Sequence, residues 1–198
     1  MTWLGVVLLI SVGVALLRGG RLLNLSEVSL RGWPLLIVGF GLQAASVWIP
    51  ADEPWSARAA VTLLILSFMP LLVLVWLNRA APGMLLAGIG VFMNFAVIAL
   101  NGGMPVLPEA AALAEGIDPA TVAVDFGRQS KHVELTVDSR LAFLGDVIPM
   151  RIIGSVISLG DLFLAVGLGI FLESQLRKPV RWFKHGLNEA EAGSAAER

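Results

Sequence analysis

The chain has 198 residues, of which 57% are hydrophobic and only 15% are charged, and its formal net charge is −1. This composition is typical of a membrane protein and not of a soluble domain. The small net charge argues against a nucleic-acid partner, which requires a basic face. The absence of cysteine excludes disulfides and thiolate chemistry.

Five apolar runs approach the roughly 20 residues that a helix needs to cross the hydrocarbon core of a bilayer. In chain order they are Thr2–Leu17, Trp33–Ile49, Ala59–Leu77, Gly83–Leu100 and Ile152–Leu172. The N-terminus lacks the basic segment and cleavage site of a secretory signal, so the first run is expected to remain as a membrane helix. The sequence therefore predicts an all-α membrane protein with about five transmembrane helices, in a single integral membrane domain over residues 1–186.

Positive charge is concentrated in alternate loops between these runs. The loop after the first run carries Arg18, Arg21 and Arg31. The loop after the third carries Arg79, and the basic segment 177–184 follows the fifth. Because such loops are retained in the cytoplasm, we expect the N-terminus outside and the C-terminus in the cytoplasm of a bacterial inner membrane. Residues 187–198, which are small and acidic, are expected to form a disordered cytoplasmic tail.

The fourth and fifth runs are joined by the long segment 101–151, which this orientation places outside the membrane. It opens with the turn-rich stretch NGGMPVLP. Glu109–Gly116 is predicted to be a short amphipathic helix, and Thr121–Phe126 a short strand or an interfacial segment. A connection of this length without evident regular structure is usually functional or disordered. Its apolar content favours a function.

Asp161 lies inside the last apolar run, where a carboxylate is costly and by default indicates a functional site. Small and polar residues recur at helical spacing in three runs. They are Gly154, Ser158, Asp161, Ala165 and Gly169 in the fifth run; Ala87, Gly90, Asn94 and Asn101 in the fourth; and Gly39, Gln43 and Ser46 in the second. We expect these stripes to meet around Asp161, either as hydrogen-bonding glue between helices or as a polar site.

The depth of Asp161 depends on where the last helix begins. A start near Arg151 places the carboxylate roughly 15 Å into the bilayer, at 1.5 Å per residue. A start within residues 154–158 places it close to the outer surface, where water can reach it. The sequence is compatible with both.

The segment RQSKHVELTVDSR, residues 128–140, concentrates charge just outside the predicted membrane. The candidates to bind a lipid phosphate or a peptide are His132, Glu134, Asp138 and Arg140, with Lys131 or Arg140 supplying the positive charge. The alternative is a solvated loop with local ion pairs. His132 is the one histidine on the predicted outer side, and no HExxH-like spacing occurs, so neither a metal site nor a cofactor is predicted.

Three motifs together resemble a known family. They are LNGGMPV after a membrane helix, DSRLAFLGDVIP outside the membrane, and SLGD at the opening of the last membrane helix. This combination is similar to a family of small bacterial polytopic membrane proteins whose function is unknown. The resemblance covers most of the chain and implies no activity.

The last third of the chain also resembles signal peptidase II, a membrane aspartyl peptidase that trims prolipoproteins. The similar elements are Asp138-Ser139-Arg140, Gly145-Asp146 and Ser158-Leu159-Gly160-Asp161, with Gly167 and Glu173 downstream. That family has an adjacent Asp-Arg pair, an Asn where this chain has Ser158, and four helices. The resemblance implies that Asp161 and Asp138 form a catalytic pair, with Asp146 replacing Asp138 if the loop folds differently. Arg140 would orient the loop or bind a headgroup.

Two close carboxylates in a site of low dielectric share one proton, because the second ionisation is penalised. The ionised member of such a pair can activate water while the protonated member polarises an amide carbonyl.

The sequence thus predicts an integral membrane protein with a polar site at its outer face that binds lipid or a small solute. The predicted site residues are Asp161, Asp138, Asp146, Arg140, His132, Asn101 and Asn94. The alternatives are a membrane hydrolase that acts on a lipid-modified peptide or a lipid headgroup, and proton-coupled transport. The expected partners are membrane lipid and either a second copy of the chain or another membrane protein.

Overall fold

The computed structural model describes residues 2–49, 55–118 and 132–177, which are mostly helical. Several of the predictions therefore lie outside the described residues. These are the strand or interfacial segment at Thr121–Phe126, the cation Lys131, the basic residues after Arg177 and the acidic tail 187–198.

Five long helices follow the predicted apolar runs, and a sixth, short helix lies in the segment between the fourth and fifth runs. Their bounds are α1 Thr2–Leu17, α2 Pro34–Val47, α3 Ser56–Leu77, α4 Met84–Asn101, α5 Pro108–Glu115 and α6 Leu159–Leu176. A 3₁₀ turn over Leu22–Glu27 follows α1. The short helix α5 confirms the prediction for Glu109–Gly116, with Pro108 at its first position, where a proline is tolerated.

Among the described residues, three helices have both the length and the apolar composition to cross a membrane: α3, α4 and α6. Helix α1 has 16 residues and α2 only 14, which is roughly 24 and 21 Å of helix. These two are apolar but shorter than the hydrocarbon core of about 30 Å. The count of five crossings therefore stays a prediction.

The chain is not all-α as predicted, because a small sheet lies between α4 and α6. Its strands are β1 Met104–Val106, β2 His132–Glu134, β3 Asp146–Met150 and β4 Ser155–Ser158. The strand order is β2-β1-β3-β4; β1 is parallel to both neighbours and β3–β4 is antiparallel. Gly102 ends α4 in a left-handed conformation. The three residues of β1 then pair with strands that are distant in the chain, which the local sequence pattern could not predict.

The last apolar run is helical only from Leu159, seven residues later than predicted. Residues Arg151–Ile153 form a 3₁₀ turn, Gly154 takes a φ of +58°, and β4 follows. Ser158 then has extended angles (φ −93°, ψ 167°) and caps the helix through its hydroxyl group. Asp161 therefore lies in the first turn of α6.

Helices α4 and α6 run antiparallel with their backbones in direct contact. A Cβ atom at Gly90 would overlap the backbone of Gly160 and Leu164, and one at Gly83 would overlap Gly167. Small residues permit this approach. On α4, Gly90 belongs to the predicted stripe, whereas Gly160 and Gly167 on α6 do not. Ala165 is buried on the same helix.

The stripe on α2 does not meet α6 in the predicted way. Gly39 packs against Leu71 and Ser67 of α3, and Gly169 of α6 faces Ser11 of α1. The prediction of three stripes converging on Asp161 is therefore wrong for Gly39 and Gly169. The spacing of small residues marks a face for close packing, but it does not identify the neighbouring helix.

The helices define two ends of a bundle. At the first, which we call the basic end, Arg21 N–H donates to Leu176 O at 3.0 Å and Arg31 N–H donates to the side chain of Asn78 at 2.9 Å. It contains the C-termini of α1, α3 and α6 and the N-termini of α2 and α4. The opposite end, which we call the site end, carries the sheet, α5 and the N-terminus of α6.

Candidate functional site

Asp161 is the centre of a hydrogen-bond network between α4 and α6. Asn94 Nδ2 donates to Asp161 Oδ1 at 2.8 Å, and Ser158 Oγ donates to Asn94 Oδ1 at 3.0 Å. Asp161 N–H donates to Ser158 Oγ at 3.0 Å, and Ser158 N–H donates to Asp161 Oδ2 at 3.3 Å. Both carboxylate oxygens of Asp161 thus accept a hydrogen bond at a helix N-terminus, where negative charge is favourable.

Asp146 lies on the neighbouring strand, with its Cα opposite that of Ser158. A bulge follows at once, because the next pair joins Ile148 to Ile157 and leaves Val147 as the extra residue. Bulges redirect side chains next to functional sites. Asp146 is only 7% exposed.

The carboxyl group of Asp146 is buried, and few hydrogen bonds replace the hydration that it loses. Its Oδ1 atom is buried and accepts no hydrogen bond from the described residues. Burial, together with the negative charge of Asp161, raises the pKa of Asp146 from 3.8 to about 8. Asp146 is therefore protonated at neutral pH and can donate a hydrogen bond or a proton.

His132 approaches the same carboxyl group from β2. Its Nε2 atom is 3.9 Å from Asp146 Oδ2, which is longer than a hydrogen bond. The β1–β2 pairing fixes its backbone, with the Cα of His132 opposite that of Met104. Its imidazole group is about one-third exposed, whereas the side chain of Asp146 is largely buried.

Asn101 acts as a clamp on the segment above the site. Its Nδ2 atom donates to Arg140 O at 2.8 Å and to Val97 O at 2.7 Å, and its Oδ1 atom accepts from Arg140 N–H at 2.8 Å. Asn101 thus holds Arg140 through its backbone N–H and C=O groups, and Arg140 is exposed. Asn101 therefore positions the loop that leads to Asp146.

Asp138 lies elsewhere, in an exposed turn. That turn is closed by Ser139, whose N–H donates to Thr136 O at 3.1 Å and whose Oγ accepts from Thr136 N–H at 2.9 Å. Of the two candidates for a partner of Asp161, Asp146 is the one whose carboxyl group responds to the charge of Asp161.

Sequence reasoning placed Ser158 in a packing stripe but missed its role in the site. The residue is fully buried and joins Asn94 to Asp161. The signal was present, because Ser-x-x-Asp before an apolar run is a capping-box pattern. An interpretation of this pattern as a capping box would have selected the later of the two starts considered for the last helix, and it would have placed Asp161 in the first turn.

The arrangement supplies a buried proton donor near a second carboxyl group whose two oxygens both accept hydrogen bonds. Asp146 carries the proton, while Asp161 is held as an acceptor by Asn94 and Ser158. Such a pair can bind a polar group or exchange a proton with it. Within the described residues, no three His, Asp or Glu side chains lie close enough together to hold a metal ion.

Comparisons with known proteins give a family but no activity. No solved structure matches the chain significantly. An uncharacterized protein from Thermotoga maritima is 29% identical over 169 residues, which cover 83% of this chain and 87% of the relative. Neither this relative nor the family match shows the likeness to signal peptidase II. The model of a family of unknown function, DUF5317, matches residues 27–173, and the chain therefore belongs to the DUF5317 family.

Proposed function

We propose that this protein, an integral membrane protein, binds the headgroup of a membrane lipid or a small polar solute in a site at its outer face. The observation that carries the proposal is the buried Asp146 carboxyl group beside Asp161. An unpaired buried polar atom costs about 1–3 kcal/mol, and a bound ligand that donates a hydrogen bond to Asp146 Oδ1 removes that cost. A hydroxyl or ammonium group has the required chemistry.

The depth of the site supports a ligand from the membrane surface. Helix α6 has 18 residues, or roughly 27 Å, and Asp161 is its third residue. If α6 spans the bilayer, the carboxyl pair lies within about one helical turn of the surface. A headgroup or a solute can then reach the site without entering the hydrocarbon core.

The arrangement of charges supports the predicted orientation. The side chains described at the basic end include Arg18, Arg21, Arg31, Arg79 and Arg177. Cytoplasmic loops carry such an excess of arginine, so we place the site end outside. Because the natural chain has no cysteine, single cysteines at Asp138 and Arg79 can be labelled in intact cells with an impermeant maleimide. Labelling at position 138 alone is expected; labelling at position 79 alone would reverse the orientation.

Retention of ligand tests the binding proposal. Native mass spectrometry of protein extracted in mild detergent is expected to detect a bound species that is lost in Asp146→Asn and in Asp161→Asn. The matched control is Asp138→Asn, which makes the same exchange of residue types in an exposed turn of the same segment. Equal retention by all four proteins, or retention by none, would contradict the proposal.

A second function, hydrolysis, is supported by the raised pKa of the buried Asp146 carboxyl group near the carboxyl group of Asp161. Asp161, acting as a carboxylate, would take a proton from a water molecule, whose oxygen attacks the carbonyl carbon of an ester or amide. The tetrahedral intermediate would then break its bond to the alcohol or amine, and this leaving group would receive the proton from Asp161. Protonated Asp146 would donate a hydrogen bond to the carbonyl oxygen. The substrate class is a lipid-modified peptide or a lipid headgroup.

Lipid and lipoprotein profiling of cells that lack the protein tests this second function. Hydrolysis requires that a substrate accumulates in these cells and disappears on complementation with the wild-type chain. Complementation with Asp146→Asn or Asp161→Asn should leave the substrate in place, whereas Asp138→Asn should remove it. Unchanged profiles would reject hydrolysis and leave the binding site intact.

A further inference from the structure

A second polar feature lies at the basic end, far from the carboxyl pair. The ends of α1 and α6 enclose an open cleft of about 430 Å³. Its walls are formed by Arg18, Ile170, Glu173, Ser174 and Arg177. None of these residues belongs to the site at the opposite end.

The cleft carries one more positive than negative charge. Arg18 Nη1 is 2.7 Å from Glu173 Oε1, and Arg177 Nη1 is 3.5 Å from the same oxygen. A single carboxylate therefore faces two guanidinium groups, both of which are more than half exposed. Each guanidinium has five N–H donors, so most of them point away from Glu173 and remain for an anion.

The backbones that carry the two arginines are fixed relative to each other. Arg21 N–H and Asn24 Nδ2 both donate to Leu176 O, at 3.0 and 2.7 Å. These bonds tie the turn after α1 to the end of α6, one residue before Arg177. The fold thus sets the spacing of the two backbone positions and brings both guanidinium groups to Glu173, which keeps them within reach of one ligand.

The surroundings of the cleft are apolar. Ile170, one turn below Glu173 on α6, lines it and is 42% exposed. Leu17 and Leu23 beside the arginines are exposed as well. Two cations at the end of apolar helices, next to an apolar wall, are complementary to a phospholipid, which carries an anionic phosphate group and apolar acyl chains.

We propose that this cleft binds the phosphate group of an anionic membrane phospholipid, with Arg18 and Arg177 on the phosphate and Ile170 against the acyl chain. Guanidinium groups bind phosphate oxygens through paired N–H donors. The anionic lipids of the cytoplasmic leaflet attract such residues, which matches the orientation proposed above. The inference depends on membrane insertion but not on the carboxyl pair.

Lipid titration of the full chain tests the proposal. Native mass spectrometry in detergent, with phosphatidylglycerol and phosphatidylcholine as probes, is expected to show selective binding of phosphatidylglycerol. The double variant Arg18→Gln/Arg177→Gln should weaken that binding at least about tenfold, since it removes two charge-assisted contacts. The matched control Arg58→Gln/Arg151→Gln removes two exposed arginines from the site end and should leave the affinity unchanged.

A variant that is expected to strengthen binding distinguishes loss of the lipid site from loss of the fold, because an unfolded protein would not bind more tightly. Glu173→Gln removes the carboxylate that competes for both arginines, so the affinity for phosphatidylglycerol should rise. Inorganic phosphate at millimolar concentration should not displace the lipid, because it lacks the acyl chain that contacts Ile170. Equal affinity for both lipids, an effect of the control as large as that of the double variant, or displacement by inorganic phosphate would overturn the proposal.

Discussion

The two ends of the bundle hold charge in opposite ways. At the basic end, arginines stand exposed around Glu173, and the ion pairs are open to the surroundings. At the site end, Asp146 is buried and forms no ion pair with an arginine or lysine among the described residues. Asp161 there is bound by neutral groups. Exposed ion pairs contribute little to folding stability. Burial gives the site end a carboxyl group with an unusual pKa, which is the property that chemistry or binding can use.

The same structural device fixes a loop at each end. Asn101 at the end of α4 binds the backbone N–H and C=O of Arg140, and its Nδ2 also donates to the carbonyl four residues earlier. Asn78, immediately after α3, does the same to Arg31 and to Leu74 O. The difference between the ends therefore lies in what surrounds the charges, not in how the loops are held.

Asp146→Asn should produce the largest effect, and its size should depend on pH. Below the ordinary pKa of 3.8, Asp146 is protonated in both the folded and the unfolded chain. Between 3.8 and about 8 the folded state holds a proton that the unfolded chain has released. The wild-type free energy of unfolding therefore falls as pH rises, by at most about 1.4 kcal/mol per pH unit, and levels off above about pH 8.

The asparagine variant lacks this slope, so its thermal midpoint in detergent should rise relative to the wild type from pH 4 to pH 8. Asp138→Asn, in the exposed turn, is the control and should follow the wild type. A parallel pair of curves for Asp146→Asn and the wild type would show that Asp146 is not protonated in the fold.

Gly160→Ala should have the next largest effect because it breaks the approach of α4 to α6. The added Cβ would overlap Asn94 Oδ1 and lie 3.0 Å from Gly90 O. Overpacking of this kind costs about 1–3 kcal/mol. Thermal unfolding in detergent should show the loss, and ligand retention should fall with it because Asn94 binds Asp161.

The control for this substitution is Gly41→Ala, where a Cβ would meet nothing within 4 Å. It exchanges the same residue types in a helix and should raise stability by about 0.5–1 kcal/mol, through helix propensity alone. Equal changes at both positions would mean that the contact between α4 and α6 is looser than the geometry requires.

The comparison of the two ends also shows which features of the fold and of the site could be predicted from the sequence. Apolar run length located the helices, and the cost of a carboxylate in an apolar run selected Asp161. The partner Asp146 and the small sheet were not fixed by local pattern, because pairings such as Val106 with Asp146 join residues 40 positions apart in the chain. The pKa of Asp146 depends on burial that only the assembled sheet creates. Apolar content alone placed the start of the last run at Ile152, whereas the cap at Ser158 starts α6 at Leu159, close to the later of the two starts considered.

Replacing the two clamping asparagines separates stability from function. Asn78→Ala and Asn101→Ala each remove three hydrogen bonds of matching geometry. Each should lower the free energy of unfolding by about 1–3 kcal/mol, more at Asn78, which is buried. Only Asn101→Ala should also reduce ligand retention at the carboxyl pair, because it releases the loop before Asp146. Equal retention in both variants would contradict a positioning role for Asn101.

Leu141→Gly should have the smallest effect, because two opposing contributions partly cancel. Leu141, next to the clamped Arg140, has a φ of +52°, a left-handed conformation that costs a side-chain-bearing residue about 1 kcal/mol. Glycine removes that strain, but the leucine side chain is only 38% exposed, so the packing of its buried part is lost. Leu113→Gly is the control: it is 39% exposed but helical, so it loses similar packing and also about 1 kcal/mol of helix propensity. Thermal unfolding should therefore show a loss that is smaller at Leu141 than at Leu113 by about 1–2 kcal/mol. Equal losses at both positions would mean that the strain beside the site is already relieved, and that the loop over Asp146 is held by Asn101 without stored backbone energy.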